Sequence, residues 1–216
     1  MNVVFDFGAV LFHWQPAQLV RQYFPQQVQS DETAHALARD IFHHPDWQAF
    51  DQGLLLLPEV MARTVARLGL PQDGVHGLMG QIGERLTPIT ETLTVLARLR
   101  HLRDAGHQVK AAPLRLYYLS NMPKPYARVL AQRHPFLQWF DGGVFSGDVK
   151  LIKPDPAVFQ HLARQHDLVA ANTVFIDDLL GNVEAARALG WSGIHFQNAA
   201  QLTTDLAALG LVTEAV

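Results

Sequence analysis

The segment Val174–Gly190, "VFIDDLLGNVEAARALG", decides the fold, because a short apolar run leads directly into two aspartates and then into a helical pattern. The residues of "VFI" are typical of a buried strand. The run "GNVEAARALG" is helical in pattern and ends in Gly190, which suits the position just past a helix. The segment therefore predicts a strand followed by a helix, with Asp177 and Asp178 at the carboxyl end of the strand.

Four more β-rich runs are spread along the chain, at Val3–Phe5, Leu116–Leu119, Val144–Phe145 and Ile194–Phe196. Helical patterns such as Asp155–Asp167 lie between the later runs. Strands that alternate with helices pair in parallel through crossover connections. We therefore expect an α/β fold with a doubly wound, Rossmann-like, mainly parallel sheet of about five strands.

The interval after the first strand is too long for one crossover connection. It carries helical patterns at Pro16–Phe24, Ser30–Phe42 and Pro58–Gly69, and Ser30 suits a helix N-cap. We expect a helical cap at residues 15–87, inserted into a core domain of residues 1–14 and 88–216. Ligands bind beyond the carboxyl ends of the strands in open α/β sheets, so this cap is expected to act as a lid.

Composition limits the classes of function. The chain has 216 residues, 49% of them hydrophobic, a net charge of −3 and no cysteine. This excludes disulfides and thiolate chemistry and offers no basic field for nucleic acid. The apolar run "GLLLLP" is far shorter than the roughly 20 residues that a membrane span needs. We expect a cytoplasmic protein, a monomer or small homo-oligomer, with no nucleic-acid or membrane partner.

Three aspartates follow apolar strands: Asp6 after "VVF", and Asp177 and Asp178 after "VFI". Parallel strands bring these carboxylates to one edge of the sheet, where they repel one another unless a cation lies among them. Hard oxygen ligands completed by water and a substrate phosphate suit Mg²⁺. A single aspartate at a strand end more often caps the next turn, but the doublet with a distant third favours a metal site.

Two further segments carry groups that suit a phosphate. "LYYLSN" places Ser120 and Asn121 at the end of a strand, where a hydroxyl and a backbone N–H can hold a phosphate oxygen. "KLIKPDP" places Lys153 before a proline and close to a helix start, where it can bridge an aspartate and a phosphoryl oxygen. Each signal is weak alone, because Ser-Asn often only turns the chain and most lysines are exposed.

In this order, "VVFDFGAVL", "LYYLSN", "IKPDP" and "VFIDDLLGNVEAARALG" resemble the four motifs of the haloacid dehalogenase-like hydrolase superfamily. The resemblance covers nearly the whole chain. It is greatest to the small sugar-phosphate phosphatases similar to α-D-glucose-1-phosphate phosphatase, which begin with "FD-x-G-x-V". The resemblance implies a phosphatase that acts through an aspartyl-phosphate.

The resemblance also implies a role for each matching residue. Asp6 is the expected nucleophile, and Ser120 with the Asn121 backbone is expected to bind the transferring phosphoryl group. Lys153 is expected to screen Asp6 from the phosphate and hold it in line. The implied Mg²⁺ ligands are Asp6, the backbone carbonyl of Gly8, Asp177 (directly or through water) and Asp178, with Asn182 supporting the site from behind.

Gly8 departs from the pattern, because many relatives carry there a second aspartate that protonates the leaving oxygen and then activates water. Three explanations stay open. His13, His43 or His44 can supply the acid; the substrate can need little acid help, as an anomeric phosphate does; or the protein is a weak or inactive relative. We favour the second explanation.

Other segments of interest surround the expected site. Trp14 is a candidate wall of the substrate pocket, and "DWQAFDQG" places Trp47 or Asp51 over the substrate unless Trp47 belongs to the core of the cap. Residues 107–115, which include Lys110, are interpreted as an insertion. It either forms an exposed surface loop or contacts a substrate or partner.

The preferred function is an Mg²⁺-dependent phosphatase that hydrolyses a small phosphorylated metabolite, expected to be a sugar phosphate. A 2-haloacid dehalogenase is the first alternative, because such enzymes also lack the second acid, although they usually carry "GT" where this chain has "GAV". The second alternative is a relative that binds a phosphorylated ligand without turnover.

Overall fold

The computed structural model describes residues 1–109 and 112–212. The strands are β1 (Asn2–Phe5), β2 (Gln108–Val109), β3 (Ala112–Pro113), β4 (Arg115–Ser120), β5 (Gly142–Phe145), β6 (Thr173–Asp177) and β7 (Ser192–His195). Five of them form one sheet in the order β5-β4-β1-β6-β7, and every neighbouring pair is parallel. The predicted five-stranded parallel sheet is confirmed, with the last strand ending one residue earlier than expected.

The helices are α1 (Pro16–Tyr23), α2 (Asp31–Phe42), α3 (Pro45–Asp51), α4 (Leu57–Leu68), α5 (Gln72–Arg85), α6 (Thr90–Asp104), α7 (Lys124–Arg133), α8 (Ser146–Val149), α9 (Pro156–Gln165), α10 (Leu180–Ala188) and α11 (Ala199–Ala208). Ser30 caps α2 as predicted, since its side chain accepts a hydrogen bond from the Thr33 N–H. Gly69 and Gly190 end α4 and α10 with positive φ. Across the described ranges, no helix is both long and apolar enough to cross a lipid bilayer.

Helices cover both faces of the sheet. On one face Val4, Leu119 and Phe175 pack with apolar residues of α9 and α10. On the other face Val3, Phe5 and Ile176 belong to a larger apolar cluster that includes residues of α6 and α11. Successive side chains of a strand point to opposite faces, so a central strand buried on both sides is apolar throughout. This explains why "VVF" and "VFI" lack the usual polar alternation.

Helices α1–α5 lie between β1 and α6 in the chain, and the segments that enter and leave them run side by side. The His13 N–H donates to the Thr87 carbonyl over 2.8 Å, and the Ile89 N–H donates to the Leu11 carbonyl over 2.9 Å. These contacts support the expected boundaries, with a cap at 15–87 and a core at 1–14 and 88–216, which stay a prediction. The larger apolar cluster continues from the sheet into α1–α5.

Part of the expected insertion at residues 107–115 forms a short hairpin, in which β2 pairs antiparallel with β3. The sequence patterns did not predict this hairpin. Lys110 and residue 111 lie outside the described residues. Arg115 begins the central strand β4, so the irregular segment is shorter than expected.

Candidate active site

The sheet brings Asp6 and Asp177 together. In the β1–β6 pairing Phe5 lies opposite Ile176, so the next residue of each strand is an aspartate at the carboxyl edge. The Asp6 N–H donates to the Ile176 carbonyl over 2.9 Å, which extends the ladder by one step. On the other side of β1, β4 ends at Ser120, which is buried. Three strand ends therefore deliver the residues that the sequence predicts for the site.

Asp6, Asp177 and Asp178 each offer a carboxylate oxygen, and these atoms all lie within 4.8 Å of one another. Asp6 and Asp177 are buried, whereas Asp178 is partly exposed. Such a group of hard oxygen ligands, close together, suits a small divalent cation with water in its remaining positions. The predicted convergence of the three carboxylates is present.

The Lys153 side chain lies between two of these carboxylates. Its Nζ donates a 2.6 Å hydrogen bond to Oδ2 of Asp177 and lies 2.9 Å from Oδ1 of Asp6. Burial by itself lowers the pKa of Lys153, but Asp177 and Asp6 outweigh it and raise that pKa above its usual value. Lys153 is therefore a buried, protonated cation, and the alternative of an exposed surface lysine is wrong.

Asp177 has little capacity left for another partner. Oδ1 accepts hydrogen bonds from the Leu179 N–H (2.8 Å) and Asn182 Nδ2 (2.9 Å), and Oδ2 accepts from Lys153. Asn182 Nδ2 also lies 3.1 Å from Oδ2. Asp177 thus orients Lys153 and Asn182, and Asn182 reaches the site through Asp177, behind the other carboxylates.

The Asp6 carboxylate, in contrast to that of Asp177, has few polar partners. Among the described residues, its buried Oδ1 has no hydrogen-bond partner apart from the Lys153 ammonium group, with which it forms a 2.9 Å ion pair. Burial, reinforced by Asp177 and Asp178, raises the pKa of Asp6 to about 7 although Lys153 lowers it. Burial and Asp177 likewise raise the pKa of Asp178 to about 6. The positive charge of Lys153 does not offset the burial and mutual repulsion of these carboxyl groups. A further cation among them would favour their ionised forms.

Asn121 connects two of the motifs. Its Oδ1 accepts the Lys153 N–H over 2.9 Å, and its Nδ2 donates to the Lys153 carbonyl over 3.0 Å. The side chain therefore fixes the backbone of Lys153 to the end of β4. Only the backbone of Asn121 stays available for the phosphate contact that the sequence predicts.

Gly8 and Trp14 are close at the backbone. A Cβ atom added to Gly8 would lie 4.0 Å from Cβ of Trp14, at ordinary contact distance. The Trp14 indole packs edge-on against Phe42, with ring centroids 5.0 Å apart. Trp14 and His13 also line a pocket of about 450 Å³ between α1 and α5 that contains none of the three aspartates. The role of Trp14 as a wall of the substrate pocket stays a prediction.

The sequence patterns missed Ser146, which joins the cap to the core. Its buried Oγ accepts the Met122 N–H over 2.8 Å and donates to the Asp51 carbonyl over 2.5 Å. The contact fixes the end of α3 beside the loop that follows Ser120. A lone serine after a strand carries no sequence signal for such a bridge.

The geometry agrees with what comparison with known proteins shows. The family model for haloacid dehalogenase-like hydrolases matches residues 2–190, and the chain belongs to this family. The fold and the order of its motifs are those of such a hydrolase.

Individual relatives are more distant. A sesquiterpene phosphatase of Aspergillus oryzae is 28% identical over 203 residues, covering 94% of this chain and 93% of the relative. A phosphorylated carbohydrates phosphatase of Thermotoga maritima is 27% identical, covering 97% and 93%. A family enzyme of Bacteroides thetaiotaomicron, solved with magnesium and inorganic phosphate, superposes with a TM-score of 0.68 at 18% identity, covering 91% and 93%.

Proposed function

We propose that this hydrolase is an Mg²⁺-dependent phosphatase that cleaves a small phosphorylated metabolite through an aspartyl-phosphate on Asp6. One observation carries the proposal. In the described part of the chain, the buried Oδ1 of Asp6 has the ammonium group of Lys153, 2.9 Å away, as its one polar partner. A carboxylate oxygen with no partner except a fixed cation suits attack on a phosphorus atom.

The residues present fit a magnesium ion. Asp6 and Asp178 are the carboxylates with free oxygen ligands, and the backbone carbonyl of Gly8 is the proposed third ligand. Asp177 contributes through water at most, because its oxygens accept hydrogen bonds from Lys153, Asn182 and Leu179. When bound, the ion supplies positive charge that keeps the carboxylates ionised and offsets the charge of the phosphoryl oxygens.

The reaction is divided among residues of the chain. Asp6 attacks phosphorus, the P–O bond to the leaving group breaks, and water later attacks the aspartyl-phosphate to restore the carboxylate. Ser120 Oγ and the Asn121 N–H bind the phosphoryl oxygens. Lys153 offsets charge between Asp6 and the phosphate, and Asp177 with Asn121 holds Lys153 in place.

The cap at residues 15–87 is proposed to cover the substrate, exclude water and select the leaving group. Its α3 already contacts the core through the hydrogen bond between Asp51 and Ser146. Trp14, at the start of the cap, is the proposed wall of the substrate pocket.

A sugar phosphate is the proposed substrate class. The name of the Thermotoga relative supports it, and so does Gly8, because an anomeric phosphate leaves with less acid assistance than a primary alkyl phosphate. The Aspergillus relative acts on sesquiterpene phosphates by its name, so an allylic phosphate belongs in any substrate panel. A cytoplasmic protein that is a monomer or small homo-oligomer stays our expectation.

The test is phosphate release from purified protein over a panel of sugar phosphates, farnesyl phosphate and p-nitrophenyl phosphate, with Mg²⁺ and with EDTA. We expect release that needs Mg²⁺ and is lost in Asp6→Asn. Phosphate release by Asp6→Asn at the wild-type rate would overturn the proposal that Asp6 is the nucleophile. Chloride release from 2-chloropropionate without metal, and no phosphate release, would establish the dehalogenase instead.

A further inference from the structure

A phosphatase with this site needs a proton donor that Gly8 does not supply. The leaving oxygen must gain a proton as its bond to phosphorus breaks, and a water must lose one in the second step. Lys153 is held between Asp177 and Asp6 and its pKa is raised, so it is a poor donor. The inference below rests on the proposed function and concerns the source of this proton.

The three histidines offered by the sequence do not lie in suitable positions. His13 is exposed and faces the pocket between α1 and α5. His44 caps α3, with its Nδ1 accepting the Asp46 N–H over 3.1 Å. His43 is exposed at the end of α2. None of them approaches the three aspartates through a contact in the described part of the chain.

Asp51, the last residue of α3, is held at the carboxyl edge of the sheet. Ser146 Oγ donates to its carbonyl and accepts from Met122, two residues beyond Ser120. Next to it, Gln52 Nε2 donates to the Lys150 carbonyl over 2.8 Å. These hydrogen bonds fix the end of α3 to the loop that follows β4 and to the two ends of α8.

Gly53 brings the backbones of cap and core into close contact directly after Asp51. Its φ is +72°, and a Cβ atom there would lie 2.5 Å from the Gly147 carbonyl oxygen. Only glycine fits this approach. The position of Asp51 is therefore set by three consecutive residues, each in contact with the core.

The side chain of Asp51 lies within electrostatic reach of the nucleophile. Burial raises the pKa of Asp51 well above its usual range and Asp6 raises it further, whereas Trp47 and Lys153 lower it. Trp47 precedes Asp51 by four residues and so shares its face of α3. Burial, and after it Asp51, raises the pKa of Tyr126, whose hydroxyl donates to the Met79 carbonyl over 2.6 Å. The Asp51 carboxyl group thus lies near both the cap core and the aspartate cluster, where burial favours its protonated form.

We propose that Asp51 is the general acid and base of the reaction, supplying from the cap the carboxyl group that Gly8 lacks. As Asp6 bonds to phosphorus and the leaving P–O bond breaks, the Asp51 carboxyl gives its proton to the leaving oxygen. Its carboxylate then takes a proton from the water that attacks the aspartyl-phosphate. The bond between phosphorus and the Asp6 oxygen breaks, phosphate departs, the Asp6 carboxylate is restored, and Asp51 is again neutral. Closure of the cap is therefore part of assembling the catalytic groups.

The test compares Asp51→Asn with Asp46→Asn, a control on the same helix whose carboxylate pairs with Arg63. Substrates are p-nitrophenyl phosphate, whose leaving group needs no protonation, and the sugar phosphate that wild type cleaves best. For Asp51→Asn we expect kcat on the sugar phosphate to fall about 100-fold or more. With p-nitrophenyl phosphate we expect a burst of one nitrophenol per enzyme, then slow turnover, with the phosphoryl group trapped on Asp6 and detected by mass spectrometry.

A rescue variant separates catalysis from structure. A Cβ atom added at Gly8 meets only Cβ of Trp14, at an ordinary contact distance of 4.0 Å, so Gly8→Asp can be introduced without a backbone clash. Placed in Asp51→Asn, it should restore kcat on the sugar phosphate about tenfold or more. Unchanged kcat in Asp51→Asn, or equal loss on both substrates with no burst, would overturn the inference. Wild-type protein that releases no phosphate from any substrate would instead overturn the proposed function.

Discussion

Lys153 Nζ donates a 2.6 Å hydrogen bond to Oδ2 of Asp177, and both side chains are buried. A buried ion pair needs both partners, because removing one leaves an uncompensated charge in a medium of low dielectric constant. Asp177 and Asp178 are neighbours in the chain, yet only Asp177 forms this pair. The two aspartates therefore have different partners, and substitutions should distinguish them.

Asp177→Asn should lower the free energy of unfolding by about 3 kcal/mol, because Lys153 keeps only Asp6 as an anionic partner. Asp178→Asn should change it by about 1 kcal/mol or less, since Asp178 is partly exposed. Urea denaturation in EDTA measures both. In phosphate-release assays, Asp178→Asn should raise the Mg²⁺ concentration needed for half-maximal rate by about tenfold or more. Equal stability losses in the two variants would contradict this division.

Asn121→Ala should lower kcat about tenfold while the protein stays folded, because it removes both hydrogen bonds that fix the Lys153 backbone. The expected stability loss is about 2 kcal/mol. Asn198→Ala is the matched control: Asn198 caps α11 by accepting the Gln201 N–H, and its loss costs about 1 kcal/mol. The control should keep wild-type kcat. A similar fall in kcat in both variants would show that general destabilisation is the cause.

Gly53→Ala and Gly69→Ala form a second matched pair. Both glycines have positive φ, +72° and +63°, but only Gly53 faces the core backbone. Gly69→Ala should cost about 1 kcal/mol from backbone strain and leave activity intact. Gly53→Ala should cost more and lower kcat, because the end of α3 must move away from Gly147. Thermal denaturation and steady-state kinetics test the pair, and equal effects on kcat would argue against a precise docking of the cap.

The pH dependence of stability should reveal the raised pKa of Asp6. Burial raises that pKa from 3.8 to about 7, so the native state binds a proton that the unfolded chain has already lost. The free energy of unfolding contributed by this group therefore falls as pH rises from about 4 to about 7. In EDTA, Asp6→Asn lacks this loss, so its stability relative to wild type should increase between pH 5 and pH 8. Urea denaturation of both proteins at the two pH values is the measurement. The same difference in stability at pH 5 and pH 8 would contradict the raised pKa of Asp6.

The sequence was sufficient for features set by short segments. The apolar runs around Val3–Phe5 and Val174–Ile176 predicted two central strands, because strands buried on both faces lack polar alternation. Parallel pairing then implied that Asp6, Asp177 and Asp178 meet at one edge, as they do. The helix ends at Ser30 and Gly190 were predictable for the same reason, since capping depends on a few neighbouring residues.

The hydrogen-bonding partners needed the tertiary structure. Nothing local to Asn121 indicates that its side chain binds the Lys153 backbone, 32 residues away. Nothing in "FDQG" or "FSGD" pairs Asp51 with Ser146, which are 95 residues apart in the chain. The sequence also gives no sign that the carboxylate oxygens of Asp177 accept hydrogen bonds from Lys153, Asn182 and the Leu179 N–H.

The order of strands and acids along the chain, by itself, determined the fold, the family resemblance and the positions of the carboxylates. These follow from strand patterning and from the single edge at which parallel strands end. Only the tertiary structure decided which carboxylate has Lys153 as its one polar partner in the described residues, which one accepts several hydrogen bonds, and which segment of α3 contacts Ser146. Those properties depend on burial and on contacts between segments distant in the chain, and local sequence carries no record of either.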